Sequence, residues 1–314
     1  MAAAVLSMAA PLHAQPWVPP QGEGSVAVTY QNYYNLGHYD VAGVPNTNGA
    51  THSKALVTEL DLGVTDNIGL TISLPFIASK YTGPDQYRVG PFDVAKGPLD
   101  DRTYHGAIQD LHIEGRRLFS AGPVAIAPLV GVTIPTHDYP TRGEAVPGRH
   151  RRELQLGATA GTDLNRLLPG TYVHGRYALA VAERINGFSS VKSNAEVEGG
   201  FDATSFLSVY GLSVWQIRHN GPTVLELHDK DWEAHDRFIV SSYLNLGGGL
   251  TLTLNRRTEL NVLWMATVSG SSGAHRARML AIGTTWNFGG MGWGGGFASL
   301  NDRPSQSNPR AAGF

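Results

Sequence analysis

Acidic and basic side chains alternate along one short stretch of the chain. Asp110, His112, Glu114 and Arg116 lie two residues apart, so in a β-strand all four point to one face, with neighbours about 6.5 to 7 Å apart. Opposite charges at this spacing form a ladder that can shape a water-filled pore or a binding site. The same ladder can also be a structural network of ion pairs that fills a narrow barrel, and the residues alone leave both interpretations open.

The same alternation recurs in other segments, where charged side chains share the parity of the polar residues. A water-filled lumen tolerates such charges, whereas a dry protein core does not. We therefore predict a set of lumen-lining side chains: Glu59, Asp61, Asp110, His112, Glu114, Arg116, Arg151, Glu153, His174, Arg176, Glu196 and Glu198.

The sequence contains no strong motif for catalysis or for metal binding. HExxH zinc spacing, a G-x-S-x-G elbow and a Walker loop are all missing. Asp229, Asp231, Glu233 and His235 could hold a divalent ion, but they lack the glycine and final glutamate of a calcium loop, which favours solvated loop residues. We predict no catalytic residues, no metal and no cofactor.

A lipid-modifying enzyme is a less favoured alternative. Phospholipases of the outer membrane carry a His and a Ser two residues apart on an outward strand edge, and no His of this chain is followed two residues later by Ser. A triad can still assemble from distant positions, so this alternative stays open.

The elements that would position the charged residues are clearest in residues 55–76. Apolar side chains share one parity on both sides of the turn Thr65-Asp66-Asn67, while polar side chains and glycines share the other. Two-residue periodicity predicts two strands joined by a tight turn. The apolar positions are Leu56, Leu60, Leu62, Val64, Ile68, Leu70, Ile72, Leu74 and Phe76.

Composition narrows the class of protein. The 314 residues are 42% hydrophobic and 16% charged, with 38 Gly, no Cys and a net charge of -2. This balance gives no electrostatic reason to expect a nucleic-acid partner. No window of about 18 apolar residues is present, so a spanning helix is excluded, and a membrane crossing would require a closed barrel.

Twelve candidate strands follow one another, with long connections after the first, third, fifth and ninth. Short turns at one end, long loops at the other and an even strand count are typical of outer-membrane barrels. Charges of outward parity, at Arg117, Arg152 and Glu183, fall at strand edges, as lipid requires. We predict an all-β, antiparallel, up-and-down transmembrane β-barrel of about twelve strands, with a soluble β protein as the alternative.

Two of the predicted strands are less well defined than the others. Residues 193–201 give the weakest strand pattern. Residues 206–217 are clearly a strand, but both of their parities carry apolar residues, so their faces are not assigned.

The two ends of the chain differ from the barrel at residues 16–288. Residues 1–15 resemble a secretory signal peptide, and the Gly-rich residues 289–314 are expected to form a flexible periplasmic tail. The last strand carries Gly283, Trp286 and Phe288 in a pattern that resembles the signal read by the barrel assembly machinery. We predict that machinery and outer-membrane lipid as partners.

Three segments carry a resemblance to a known family. VTDNIGLTISLPF at 64–76, GAIQDLHIEGRRL at 106–118 and APLVGVTIPTHD at 127–138, in this order, resemble the outer-membrane barrels of the MetA-pathway phenol-degradation family. The resemblance covers residues 25–288. It implies a barrel that passes small organic compounds, some of them aromatic, and it implies no catalytic residues.

These observations predict a channel or uptake protein in the bacterial outer membrane. Its solutes would be small organic molecules, with aromatic and apolar compounds among the candidates. Selectivity would come from the inward charged residues and from a loop folded into the barrel, for which residues 78–105 are the best candidate. A plugged barrel that acts as a structural or adhesive surface protein is the alternative, since twelve strands can be packed shut.

Overall fold

Twelve antiparallel wall strands close into one barrel, which confirms the predicted fold class. The computed structural model describes residues 15–47, 49–84, 86–89, 92–95, 97–121, 123–165, 167–223 and 235–289. The strands are β1 Gly24–Tyr39, β2 Pro45–Asn46, β3 Ala50–Thr65, β4 Ile68–Thr82, β5 Gln86–Val89, β6 Phe92–Ala95, β7 His105–Ile108, β8 Leu111–Arg117, β9 Phe119–Ala121, β10 Val124–Ile134, β11 Glu153–Asp163, β12 Thr171–Ile185, β13 Phe188–Thr204, β14 Leu207–Asn220, β15 Ser242–Asn255, β16 Thr258–Ser271 and β17 His275–Phe288, with one short helix, α1 His235–Phe238.

The barrel closes where the first strand pairs with the last. β1 and β17 run antiparallel from Gly24 opposite Phe288 to His38 opposite His275. Segments β7, β8 and β9 together make one wall strand, β2 extends the sheet beside β1, and β5 and β6 form a separate hairpin. All other neighbours are consecutive in the chain, so the topology is up-and-down.

The two ends of the barrel have different connections. One end holds both termini of the barrel and the turns at 65–68, 204–207 and 255–258, whereas the other end holds the connections at 83–104, 135–152 and 221–241. Short turns face the periplasm in barrels of this class. The long connections therefore lie on the extracellular side of the bacterial outer membrane.

One extracellular connection is tight. β12 and β13 are joined by Asn186 and Gly187, which both have positive φ. An Asn-Gly pair with positive φ at both residues is the usual two-residue hairpin.

The outward and inward faces follow the predicted parity. Leu56, Leu74 and Phe76 are exposed on the outside, while Glu59 and Thr71 are buried inside. On β14 the faces that the sequence did not assign are now defined: Val209 and Ile217 point out, and Leu212 points in. Both parities of this strand carry apolar residues because one set faces lipid and the other packs inside the barrel.

Three strand bounds correct the sequence prediction. The strand predicted to carry Asp110 with His112, Glu114 and Arg116 is interrupted, because Asp110 and its neighbour Gln109 lie between β7 and β8. β7 pairs with β4 alone, since β10 ends at Ile134 before a proline and offers no partner there. β11 begins at Glu153, so Arg151 lies in the preceding loop and not in a strand. β13 is much longer than the predicted 193–201.

Several predictions fall outside the described residues. These are the signal peptide, apart from Gln15, the tail after Gly289, and three of the four loop residues considered for a divalent ion, Asp229, Asp231 and Glu233. The described residues contain no helix of the length and apolar composition that a membrane crossing needs.

Candidate functional site

An ion pair lies inside the barrel near its periplasmic end. Nη2 of Arg116 is 2.8 Å from Oδ2 of Asp61, and both side chains lie among inward residues. Thr71 completes the group: Arg116 donates to its hydroxyl at 2.6 Å, and that hydroxyl donates to Oδ1 of Asp61 at 2.8 Å. Two predicted lumen residues from β8 and β3 are thus brought together across β4.

A second network spans the middle of the same wall. Nη2 of Arg176 lies 2.6 Å from Oε2 of Glu114 and 3.1 Å from Oε1 of Gln155. Nε2 of His112 is 3.7 Å from the same glutamate oxygen, and Nδ1 of His112 is 3.1 Å from the hydroxyl of Thr133. His112, Glu114 and Arg116 thus lie two residues apart on β8, and Glu114 is joined to β12 through Arg176.

A third pair contains a lysine that the sequence analysis missed. Nζ of Lys192 is 2.9 Å from Oε2 of Glu153, whose other oxygen accepts from Gln155 at 3.0 Å. Lys192 shares the parity of Glu196 and Glu198 but lies just before the strand predicted at 193–201. Had that strand been extended by one residue, its parity would have revealed the lysine.

The remaining charged residues of this wall lie on β12, β13 and β3. Tyr172 donates to Oε1 of Glu198 at 3.0 Å, and its ring stacks on His174 with centroids 4.8 Å apart. Glu196 stands opposite Arg176 in register. Glu59 is buried between β1 and β4. Charges of both signs are thus interleaved along this wall.

Two predicted lumen residues have a different position. Tyr139 from the extracellular loop donates to Oδ1 of Asp110 at 2.6 Å. Arg151 donates to the carbonyl oxygen of Glu183 at 3.0 and 2.6 Å and to that of Arg237 at 3.0 Å. These side chains fix loops at the extracellular end, in the part of the chain that the sequence had predicted as regular strand.

The opposite wall of the lumen carries a large apolar cluster beside inward polar side chains such as those of Gln31, Gln216, Asn245 and Glu259. Inward side chains from β1, β14, β15, β16 and β17 form one cluster, in which Leu263 and Met279 are almost completely buried. Sequence periodicity did not predict this wall, because the apolar parity of each assigned strand was given to lipid and the faces of residues 206–217 were not assigned. Its members are Tyr33, Tyr39, Tyr210, Leu212, Val214, Tyr243, Leu263, Met265, Ala274, Ala277, Met279 and Ala281.

The segment that precedes β1 crosses the periplasmic end of the lumen. Trp17 packs edge-on against His174 at 4.8 Å, and its carbonyl oxygen accepts from Arg116 at 3.2 Å. Three inward glycines leave room for the segment. A Cβ on Gly161 would come within 2.9 Å of Pro16, one on Gly69 within 3.3 Å of Val18, and one on Gly63 within 2.2 Å of the Pro19 carbonyl oxygen.

The extracellular end is covered by interlocked loops. Asp100 accepts backbone N–H bonds from Gly97 at 2.9 Å, Glu144 at 2.8 Å and Ala145 at 3.0 Å. Leu99, Ala145 and Val146 pack on Tyr81 in one buried cluster. Residues 97–100 of the loop predicted to fold inward belong to this contact. Residues 144–146 of the 135–152 loop form its other side.

Ionisable groups in these loops are shifted by burial and by hydrogen bonds. Burial raises the pKa of Asp100 and the pKa of Tyr139, which also lies beside the Asp110 carboxylate. A hydrogen bond from His105, together with those from Thr103, lowers the pKa of Asp101.

Histidines also lie close together at the extracellular end of the described residues, but they do not form a metal site. A register shift after Asn35 turns His38 inward, where its ring lies 5.1 Å from that of His275. His235 lies within 3.7 Å of Glu144. Even so, no three His, Asp or Glu side chains in the described part of the chain are placed to hold a metal ion.

One serine and one histidine are close together on the outward face. Oγ of Ser193 is 2.6 Å from Nε2 of His219, although the two residues are 26 positions apart in the sequence. The hydroxyl of Tyr177 lies 2.7 Å from the same Oγ, and Ser193 is only 2% exposed. A nucleophile must reach its substrate, so this arrangement is a hydrogen-bond chain that joins β12, β13 and β14.

The residues of the predicted assembly signal lie on β17. Trp286 is exposed on the outside, with its ring 5.8 Å from that of Phe288. Gly283 faces inward, where a Cβ would meet the Thr29 hydroxyl at 2.5 Å. Recognition by the assembly machinery stays a prediction.

Comparison with solved structures supports the architecture. The COG4313 outer-membrane channel from Pseudomonas putida F1 superposes with a TM-score of 0.64 at 13% identity, covering 87% of this chain and 98% of that one. The translocator domain of the autotransporter NalP from Neisseria meningitidis gives 0.47 at 12% identity, with coverages of 86% and 90%. The CymD monoaromatic hydrocarbon channel gives 0.45 at 6% identity, with coverages of 86% and 90%. At these identities the likeness shows the fold alone, and the two lower scores carry no further argument.

No protein-family model and no curated protein sequence matches the chain. The outer-membrane barrel architecture is therefore established by structure. The resemblance to the phenol-degradation barrels rests on the three sequence segments alone and stays a prediction.

Proposed function

We propose that the protein is a channel of the outer membrane that passes small organic molecules with aromatic or apolar surfaces. The observation that carries the proposal is the division of the lumen into two walls. Leu263, Met265 and Met279 on one side, and Glu114 and Arg176 on the other, are buried against their neighbours. A solute with an apolar ring and a polar substituent would contact both sets once these side chains move apart to admit it. Ligand sites commonly combine apolar lining with a few placed polar groups.

Two further observations support this proposal. The resemblance of three sequence segments to the phenol-degradation barrels implies the same class of solute. The structure with the TM-score of 0.64 is described as an outer-membrane channel. Neither observation identifies the solute.

The segment from Pro16 to Pro20 gives the proposed channel a periplasmic constriction. It lies across the lumen beside Arg116 and His174. A passage through the barrel must go around this segment or displace it. Its removal is therefore expected to raise the conductance several-fold.

Single-channel recording in planar bilayers tests the proposal. We expect stepwise currents from the purified chain, larger steps after deletion of residues 15–20, and stronger current block by phenol than by glucose. Leu263→Asn with Met265→Gln should weaken the block by phenol. Trp264→Phe is the matched control, because Trp264 is on the same strand but points to lipid.

The possible contrary results are distinct from one another. If neither the intact chain nor the deletion variant conducts at any salt concentration, the barrel is plugged and its role is structural. If phenol and glucose block equally, the protein is a pore without the proposed solute preference.

A further inference from the structure

The outside of the barrel carries a row of cationic and aromatic side chains at its extracellular end. Arg278, Tyr34, His52 and Lys80 stand next to one another in register on β17, β1, β3 and β4. All four have outward parity. Tyr104, just before β7, adjoins Lys80 at the end of this row.

The row lies directly above the apolar band of the barrel. One step closer to the periplasm, Lys54 stands opposite Asn32 and Ala78. One step further the outward residues are all apolar or aromatic: Ile282, Tyr30, Leu56, Phe76 and Ile108. Since each step of two residues is about 6.5 to 7 Å along a strand, the cations lie at the height of the lipid headgroups.

Side-chain contacts hold the cations together around one ring. Nζ of Lys54 and Nζ of Lys80 lie 4.9 and 5.0 Å from the centre of the Tyr104 ring. The hydroxyl of Tyr104 is 2.6 Å from Nδ1 of His52, whose Nε2 is 2.5 Å from Oδ1 of Asn32. The ring faces attract the ammonium groups, and the hydrogen bonds fix the ring in place.

No outward carboxylate balances these charges on the four strands. β1, β4 and β17 contain neither Asp nor Glu, and the two acids of β3, Glu59 and Asp61, have inward parity. Near the end of β12, by contrast, an outward acid lies beside an outward cation. Glu183 accepts a hydrogen bond from the backbone N–H of Arg152. Strands β17, β1, β3 and β4 therefore carry outward cations without an outward acid.

We propose that Lys54, Lys80 and Arg278, with His52 and Tyr104, form a cationic patch that binds the phosphate groups of the phosphorylated glycolipid of the outer leaflet, lipopolysaccharide. Lysine and arginine are the usual protein ligands of phosphate. The acyl chains of the same lipid would lie on Tyr30, Leu56 and Phe76 directly below. This proposal does not depend on whether the lumen conducts.

The test measures lipid retention by the purified full-length barrel in a non-ionic detergent. Native mass spectrometry would quantify binding of diphosphoryl lipid A, of monophosphoryl lipid A and of a glycolipid without phosphate. A cation near a charged membrane surface contributes about fivefold in affinity, so Lys54→Gln with Lys80→Gln and Arg278→Gln should weaken diphosphoryl lipid A binding roughly a hundredfold. Loss of one lipid phosphate should also weaken binding.

Two variants separate the proposal from general effects. Arg256→Gln with Arg257→Gln removes two exposed cations from a periplasmic turn and should leave binding unchanged. Lys54→Arg with Lys80→Arg should retain it. Heat-dependent migration on gels reports whether each variant is a folded barrel.

Three results would overturn the proposal. Binding by the triple variant that equals wild type would show that the patch does not hold the lipid. Equal binding of the phosphate-free glycolipid would show that phosphate is not recognised. Displacement of lipid A by millimolar inorganic phosphate would assign the patch to free anions.

Discussion

Arg116 on β8 is joined to Asp61 on β3 by a 2.8 Å contact, and the same Nη2 atom donates to the carbonyl oxygen of Trp17 at 3.2 Å. One guanidinium thus connects the charged wall of the lumen to the segment that crosses its periplasmic end. The position of that segment depends on a side chain that the carboxylate holds in place.

Asp61→Asn should both lower the free energy of unfolding and loosen the segment from Pro16 to Pro20. Removing one partner of a largely buried ion pair leaves the other charge uncompensated, and hydrogen bonds to charged groups are each worth about 1.5 to 3 kcal/mol. We expect a loss of about 2 kcal/mol in denaturant unfolding followed by tryptophan fluorescence, and a larger single-channel conductance. Asp61→Asn combined with Arg116→Gln should cost less than the two single losses added together; additive losses would show that the pair is not coupled.

Exchanging Glu153 and Lys192 should restore much of the free energy of unfolding that each single substitution removes. Their side chains are 2.9 Å apart and both are largely buried. Glu153→Lys places two cations together and Lys192→Glu places two carboxylates together, so each should lower the free energy of unfolding by about 3 kcal/mol. The double exchange re-forms an ion pair of opposite polarity. If it is no more stable than the single variants, contacts with Gln155 outweigh the pair itself.

The outward half of this barrel was predictable from the sequence because lipid imposes one simple condition. A charge at mid-membrane is costly, so Leu56, Leu60 and Phe76 keep one parity and the charges keep the other. The even strand count and the long extracellular connections follow from the same pattern. None of these features depends on contacts between distant segments.

The lumen was harder to predict because distant contacts decide it. Asp110 leaves the strand pattern where β10 offers no partner and Tyr139 arrives from a loop. Leu212 and Met279 are apolar residues at inward positions, where they interrupt the polar pattern of a single strand. They form a cluster only when five strands come together. Trp17 lies before the first strand, where no periodicity indicates that it enters the barrel.

Asp100→Ala should release the extracellular loops from each other. The carboxylate accepts N–H bonds from Gly97, Glu144 and Ala145, and its loss leaves these buried donors without that acceptor. Hydrogen exchange at residues 143–146 should become much faster, while exchange in the Asn186-Gly187 turn should not change. Unaltered protection at 143–146 would show that packing of Val146 alone holds the loops.

The pH dependence of the same loops follows from the raised pKa of Asp100. Because burial raises the pKa in the folded loops, the contribution of this group to loop stability is fully present below the ordinary pKa of aspartate and falls as pH rises through the folded value. Protection of the Ala145 amide, corrected for intrinsic exchange, should therefore be greater at acidic than at neutral pH. Asp100→Asn should remove this dependence, and a wild-type profile that falls on acidification would contradict the expected sign.

Leu60→Arg should be far more costly than Val64→Arg on the same strand and the same face. Leu60 lies at the centre of the outward apolar row on β3, between Val26 and Ile72, where arginine at mid-membrane costs about 2 to 4 kcal/mol. Val64 lies at the periplasmic edge next to the turn, where the same charge costs about 0 to 1 kcal/mol. Reversible unfolding in phospholipid vesicles measures both changes. If both substitutions lower the free energy of unfolding equally, lipid does not cover this face. On a water-exposed sheet, a charge in the middle of a strand costs about as much as one at its end.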